Sequence, residues 1–421
     1  SVGPDAVQTI SVIDTTDSDG SGEPTEDPAE PGDPTDPGQP ADPEEPADPG
    51  QPAAPGNSAD PAAPGQPGPQ YAAPPSEAAV PNQPASSPAD VLLLEPTTDP
   101  GTNIATATVD ADSLRKLFDQ AEADASGVKT VSLRVPKIEG AASYNVQLPK
   151  EEVASADGSR NISIETEWGT ITVPGNMLRI PDVADAKQVG LSIGRVDKSS
   201  LSPDMQEQIG DRPVSELRVL ADGEPISWRD PSARVTVTVP YAPTEEELQN
   251  PEHLVVVYID ETGQAIPVPS GKYDPSLGGV TFTVNHFSQF AIAYVKKTFS
   301  DLADVGWARK AIEVLASKGI IEGVSPSAFA PENRITRADY IILLVRTLGL
   351  DADARGRFDD VKPEDYFYDA VGVAKALGIA DGVGNNRFDP DGEITRQDMM
   401  VLTARALEVA GKFAGTPNAE T

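Results

Sequence analysis

Between residues 128 and 297 the chain alternates apolar and polar positions with the period of two that marks half-buried strands. Val131 to Val135, Ile162 to Glu165, Thr170 to Val173, Leu191 to Ile193 and Val235 to Val239 follow this pattern. Leu254 to Ile259 is a nearly continuous apolar run, and Val280 to Val284 and Phe290 to Tyr294 close the set. Ala156-Asp157-Gly158, Ala221-Asp222-Gly223 and Glu261-Thr262-Gly263 supply turns between them. Many short strands without a long helix predict an all-β, sandwich-like domain or two small sheets over 128–297. From Phe299 the period becomes helical. Trp307, Ala308, Ala311, Ile312, Leu315, Ala316 and Ile320 make one apolar face, and a second helix starting at Thr336 presents Tyr340, Ile341, Leu344, Val345 and Leu348.

Composition changes the picture upstream. Residues 21–100 hold 22 of the 42 prolines, and no Lys or Arg precedes Arg115. Proline fixes φ and removes donors while like charges repel, so 14–127 reads as an acidic, Pro-rich, disordered linker. The alternating stretch Val7 to Ile13 makes 1–13 the expected remnant of an upstream domain, so that an unknown cargo domain precedes the linker. Ser1-Val2-Gly3-Pro4 is neither an initiator Met nor a signal peptide, and the chain is expected to be a piece of a longer protein. A formal charge of −35 over 421 residues argues against nucleic-acid partners, which need clustered cations. The absence of Cys excludes disulfides and thiolate metal sites. No apolar run is long enough for a membrane helix, so no membrane insertion is expected. Asp17, Asp19, Gly20 and Glu26 fall on EF-hand spacing from Thr15. Position one lacks its Asp and Pro24 interrupts the loop, so neither a metal nor another cofactor is expected.

The helical region repeats itself. Phe299-Ser300-Asp301-Leu302 returns as Phe358-Asp359-Asp360-Val361, and Gly319-Ile320 with Gly323 returns as Gly378-Ile379 with Gly382. Phe329 and Pro331 return as Phe388 and Pro390, and Ile335-Thr336-Arg337 returns as Ile394-Thr395-Arg396, always 59 residues on and without a gap. A fixed period predicts stacked units that share a core, here 298–357 and 358–412.

These motifs resemble the S-layer homology family: an Asp and a Trp near the start, a Gly-Ile-Ile-x-Gly turn, and Thr-Arg-Ala-Glu opening the second helix. The first copy shows Asp301, Trp307-Ala308, Gly319-Ile320-Ile321-Glu322-Gly323 and Thr336-Arg337-Ala338-Asp339. The second departs from it, with Tyr366 for Trp, Ala380 for the second Ile and Gln397 for Ala. The resemblance implies three repeats in a pseudo-threefold spindle, with 413–421 as the start of a missing third. It also implies an extracellular place at the cell wall or S-layer, and binding of secondary cell wall polysaccharide, often pyruvylated, in grooves between repeats. The glycan-binding residues expected on this basis are Asp301, Trp307, Gly323, Thr336 and Arg337 in the first copy, and Asp360, Tyr366, Gly382, Thr395 and Arg396 in the second.

The residues themselves point the same way. Thr336 and Thr395 stand where an N-cap belongs, with Asp339 and Asp398 three positions on, which resembles a capping box. A cation at the first helical position opposes the helix dipole by about 0.3–1 kcal/mol. An anionic ligand bound by free N–H groups and the guanidinium would resolve that conflict. The other reading pairs Arg337 and Arg396 with Asp301 or Asp360. Trp307 and Tyr366 read equally as core aromatics or as sugar-stacking faces. Gly323 and Gly382 read as left-handed turn positions.

Nothing marks an enzyme. The two His, His253 and His286, lie in no metal-spaced cluster, and there is no phosphate loop or nucleophile elbow. Catalytic and metal residues are therefore expected to be none. His286-Phe287-Ser288 resembles the cleavage tripeptide of self-cleaving β-sandwich domains, and its other reading is a tight structural turn. A carbohydrate-binding β domain is the further alternative; Trp168 and Trp228 are the only Trp in that region.

Overall fold

The computed structural model describes residues 91–153, 158–178, 185–353 and 356–411. The expected remnant 1–13, linker residues 14–90 (with the EF-hand-like spacing) and the segment 413–421 lie outside the described residues.

Strands β1 (Val91–Leu93), β2 (Thr97–Asp99) and β3 (Ile104–Thr108) precede helix α1 (Ala111–Gln120). Next come β4 (Lys129–Arg134), β5 (Ser143–Pro149), the one-turn α2 (Lys150–Val153), β6 (Arg160–Thr166), β7 (Gly169–Pro174), β8 (Gln188–Arg195), α3 (Pro203–Ile209), β9 (Val214–Ala221) and β10 (Glu224–Ile226). The β region closes with β11 (Val235–Pro240), α4 (Glu245–Gln249), β12 (Leu254–Ile259), β13 (Ala265–Val268), β14 (Lys272–Asp274), β15 (Gly279–Val284) and β16 (Gln289–Tyr294). Helices α5 (Gly306–Ser317), α6 (Arg337–Leu348), α7 (Tyr368–Ala376) and α8 (Arg396–Val409) follow.

The strands form two sheets. One runs β1-β4-β6-β7-β11-β15-β14; the other runs β13-β12-β16-β9-β8-β5-β3-β2, with β10 on β9. Their inward residues, such as Val131, Ile171 and Val237 from one and Tyr144, Leu191 and Val219 from the other, make a single core, as a sandwich requires. β11 shows the alternation directly: Val235, Val237 and Val239 are buried while Thr236 and Thr238 face outward. The unbroken apolar run of β12 has a different cause. Its outer face, with Val257 and Ile259, is covered by Met205 and Ile209 of α3.

Residues 91–127 correct the expected linker boundary. Leu94, Ala105, Ala107, Leu114, Leu117 and Phe118 all enter the sandwich core. β1 and β2 are only three residues long and flank Pro96, and β3 is built mainly from the weakly contrasting Ala and Thr, so these strands carry little periodic signal. The sheets are also mixed: β1–β4, β4–β6 and β3–β5 are parallel. Helices α1 and α3 further qualify the all-β expectation, since both pack on the sheets.

The two helical repeats are stacked. Ala338, Ile341 and Ile342 of α6 share one core with Phe358, Phe367, Val371, Phe388 and Leu402 of the second repeat. A smaller cluster of Phe299, Leu302, Ile312 and Ala316 holds the first repeat together. Tyr340 reaches across to Thr403 at 2.6 Å, and the segments before α6 and α8 pair through Thr336 and Glu393.

Candidate functional site

Each repeat is built around a loop held by one carboxylate. Asp301 accepts from the amides of Phe329 (3.0 Å) and Ala330 (2.7 Å). Asp360 does the same for Phe388 (2.8 Å) and Asp389 (2.9 Å). The held residues, Ala330 and Asp389, are left-handed at φ 60° and 59°, a conformation costly for side-chain-bearing residues. These amide bonds keep Asp301 below the usual carboxylate range. For Asp360 burial pushes upward, but the amides and then Arg387 win and the net shift is downward. Both carboxylates are therefore committed to the loops, and neither Arg337 nor Arg396 pairs with them among the described residues.

Gly323 and Gly382 sit against the same loops. A Cβ at Gly323 would lie 2.4 Å from the Ala328 carbonyl and 2.5 Å from the Phe299 ring. At Gly382 it would lie 2.3 Å from the Arg387 carbonyl and 2.7 Å from the Phe358 ring. Only Gly382 has positive φ, at 79°. The expected left-handed turn thus holds for the second copy; the first needs glycine for close approach of backbone and ring.

The helix ends differ between copies. In both, the Thr hydroxyl caps the third amide, at 3.1 Å from Asp339 N to Thr336 and from Asp398 N to Thr395. The Asp carboxylate then accepts the Thr hydroxyl proton, at 2.7 Å for Asp339 and 2.8 Å for Asp398, instead of reaching back to the N-cap amide as a capping box does. At α6 the first two amides, of Arg337 and Ala338, donate to the Gly392 and Pro390 carbonyls at 2.9 and 3.1 Å. This end is not free for an anion. Arg337 is 9% exposed; its Nε donates to the Phe388 carbonyl at 3.1 Å, and its guanidinium faces the Phe388 ring and lies 3.4 Å from Asp398. It joins the two repeats. At α8, Thr395 and Arg396 are exposed, and among the described residues no hydrogen bond engages the Arg396 guanidinium.

The aromatics are not core. Trp307 is 90% exposed and Tyr366 62% exposed. Tyr366 spans the junction between repeats, donating its hydroxyl to Asp339 at 2.8 Å. Burial of the hydroxyl and then the Asp339 carboxylate push its pKa up to about 12, so the donor stays protonated. Sequence reasoning overlooked a repeated ion pair that ties each second helix to the Gly-Ile turn. Arg346 meets Glu322 at 3.0 Å and Arg405 meets Asp381 at 2.7 Å. The shared 59-residue offset of both partners was the available signal.

In the β region, Ser288 Oγ donates to the Ile259 carbonyl at 3.1 Å, and His286 Nδ1 lies 3.2 Å from Asn285 Oδ1. Phe287 donates its amide to Trp228, and its ring meets Trp228 edge-on. The three side chains have these partners around the turn between β15 and β16, and among the described residues no hydrogen bond joins His286 to Ser288. Among the described residues no group of three or more His, Asp or Glu could hold a metal. No helix among them is long and apolar enough to cross a membrane.

A sandwich followed by two stacked, loop-stapled helical repeats places the chain among proteins with tandem helical repeats. Residues 298–341 and 357–400 match the S-layer homology domain family, so the chain carries two tandem S-layer homology domains. It is 28% identical over 313 residues to an amylopullulanase of Thermoanaerobacterium thermosulfurigenes, covering 74% of this chain and 16% of that one. That alignment is longer than everything after Phe299, so it reaches well into the β region. The chain is also 34% identical to the S-layer protein sap of Bacillus anthracis (30% of this chain, 16% of that one). Similarity to the surface-layer 125 kDa protein of Lysinibacillus sphaericus is 31% (25% and 9%). The chain spans about a sixth or less of the length of these relatives. The S-layer homology domains and S-layer relatives indicate an extracellular location, at the cell wall or in the S-layer.

Proposed function

We propose that this chain anchors an extracellular bacterial protein non-covalently to the cell wall, its S-layer homology repeats binding secondary cell wall polysaccharide. The observation that carries this reading is the pair Trp307 and Tyr366. Each copy exposes a large aromatic near the start of its first helix: Trp307 in the first turn of α5, and Tyr366 just before α7 with its hydroxyl on Asp339. An aromatic face suits the apolar C–H patches of a pyranose. Arg396, exposed beside the open end of α8, is the cation available to a pyruvyl carboxylate. Arg337 supports binding indirectly, by holding the repeats in register. The β region acts as a stalk, and the chain binds and does not catalyse.

The test is co-sedimentation of the chain with peptide-stripped wall glycan. Trp307→Ala with Tyr366→Ala should weaken binding about tenfold, the loss of two stacking contacts of about 0.5–1.5 kcal/mol each. Arg396→Ala should weaken binding to pyruvylated glycan and leave binding to ketal-free glycan unchanged. Unaltered sedimentation of the aromatic double variant, with an unchanged circular dichroism spectrum, defeats the reading.

A further inference from the structure

His286-Phe287-Ser288 has no part in wall binding, yet it lies where the β region meets the first repeat. That joint is polar and specific. His253 Nδ1 lies 3.0 Å from Ser317 Oγ at the end of α5, and the Lys318 ammonium donates to the Gly271 carbonyl at 2.8 Å. Arg234 donates to the Gly349 carbonyl at the end of α6, also at 2.8 Å. Asp351 is its centre: one carboxylate oxygen accepts from Arg229 and from the Asn285 amide, both at 2.7 Å. Because Asn285 gives its N–H to Asp351, its carbonyl oxygen faces His286 Nδ1. That oxygen only accepts, so Nδ1 carries the imidazole proton and Nε2 a bare lone pair. His286 Nε2 is buried and has no hydrogen-bond partner. The ring is packed against Tyr258 and Phe290, with centroids 4.7 and 5.7 Å away.

We propose that His286, Asn285, Asp351 and Arg229 form a pH-responsive latch that holds the first S-layer homology repeat to the β region at neutral pH and loosens in mild acid. Protonating His286 would create a buried N–H with no acceptor, and a cation beside the guanidinium that holds Asp351. The charged and titratable groups facing the ring are Arg229 from the β10–β11 connection, Asp351 from the α6–α7 connection and the Tyr258 phenol from β12. Burial first, then Arg229, depress the imidazole below its ordinary 6.5, and Asp351 opposes them only in part. A released His286 therefore binds a proton more readily than a latched one. The latch is at full strength above pH 6.5 and weakens as pH falls below it.

Hydrogen exchange of the full chain at pH 7.5 and 5.5, corrected for intrinsic rates, tests this. Protection across residues 345–352 should drop at the lower pH, by up to about tenfold, the ceiling at pH 5.5 for an imidazole whose released form titrates at its ordinary 6.5. His286→Phe, which keeps the packing but does not titrate, should abolish the drop, and Asp351→Asn should lower protection at both values. The same pH effect in His286→Phe, or none in the unaltered chain, overturns the latch. NMR titration is independent of any variant, because the chain has only two histidines. A His286 midpoint below 6.5 is expected, and one at or above it overturns the proposal.

Discussion

Asp301 and Asp360 were read from the sequence as ligand contacts or as partners of the helix-end arginines; the structure uses each to fasten a loop. Their repetition was legible because it is a pattern, whereas their partners are backbone amides 28 and 29 residues away, which no side-chain motif encodes. Both carboxyls titrate below 3.8 in the folded chain, so they add stability above that pH and lose it as acid protonates them. Asp301→Asn with Asp360→Asn should flatten the acid limb of the helical unfolding transition, followed by circular dichroism between pH 5 and 2; an unchanged limb would show that the loops do not need the charge. The glycines make a sharper case. Gly323→Ala drives a methyl into a carbonyl and a ring and should cost about 1–3 kcal/mol by overpacking. Gly382→Ala adds strain at φ 79° and should cost more. Urea unfolding of both variants checks the order.

At the scale of elements, α6 and α8 open with the same Thr-Arg sequence and meet different surroundings. The helix starts, caps and apolar faces were visible as period and cap residues. The fate of the α6 end was not, because its amides bond to Pro390 and Gly392, more than fifty residues on. Sequence reasoning saw free donors where the fold had already supplied acceptors. Arg337→Ala should accordingly destabilise the stack by about 1.5–3 kcal/mol, the range for hydrogen bonds to a charged group. Arg396→Ala, at an exposed end, should stay within about 0.5 kcal/mol. Thermal melts that rank the two equally would contradict the buried, joining role of Arg337. The β region shows a parallel limit. Strands of six residues with Val and Thr in alternation announced themselves, while β1 to β3 were lost in a proline-rich context. Helix α1 did leave a trace: Asp110 capping Ser113 at 2.9 Å, followed by Leu114, Leu117 and Phe118 on one face.

Over the whole molecule, one acidic chain joins a β sandwich to a pair of stacked repeats, and the joint between them is held by hydrogen bonds rather than by a loose tether. Trp307 and Arg396 are exposed on the repeats, while Tyr366, also exposed, joins them through its hydroxyl on Asp339. On the proposed reading anchoring rests on surface side chains, while Arg337, the glycines and the loop carboxylates serve stability. Equilibrium binding of the full chain to purified secondary cell wall polysaccharide, set against bare peptidoglycan, tests this account most directly. Saturable binding to the polysaccharide and none to the peptidoglycan is the predicted result; equal binding to both, or to neither, would contradict it.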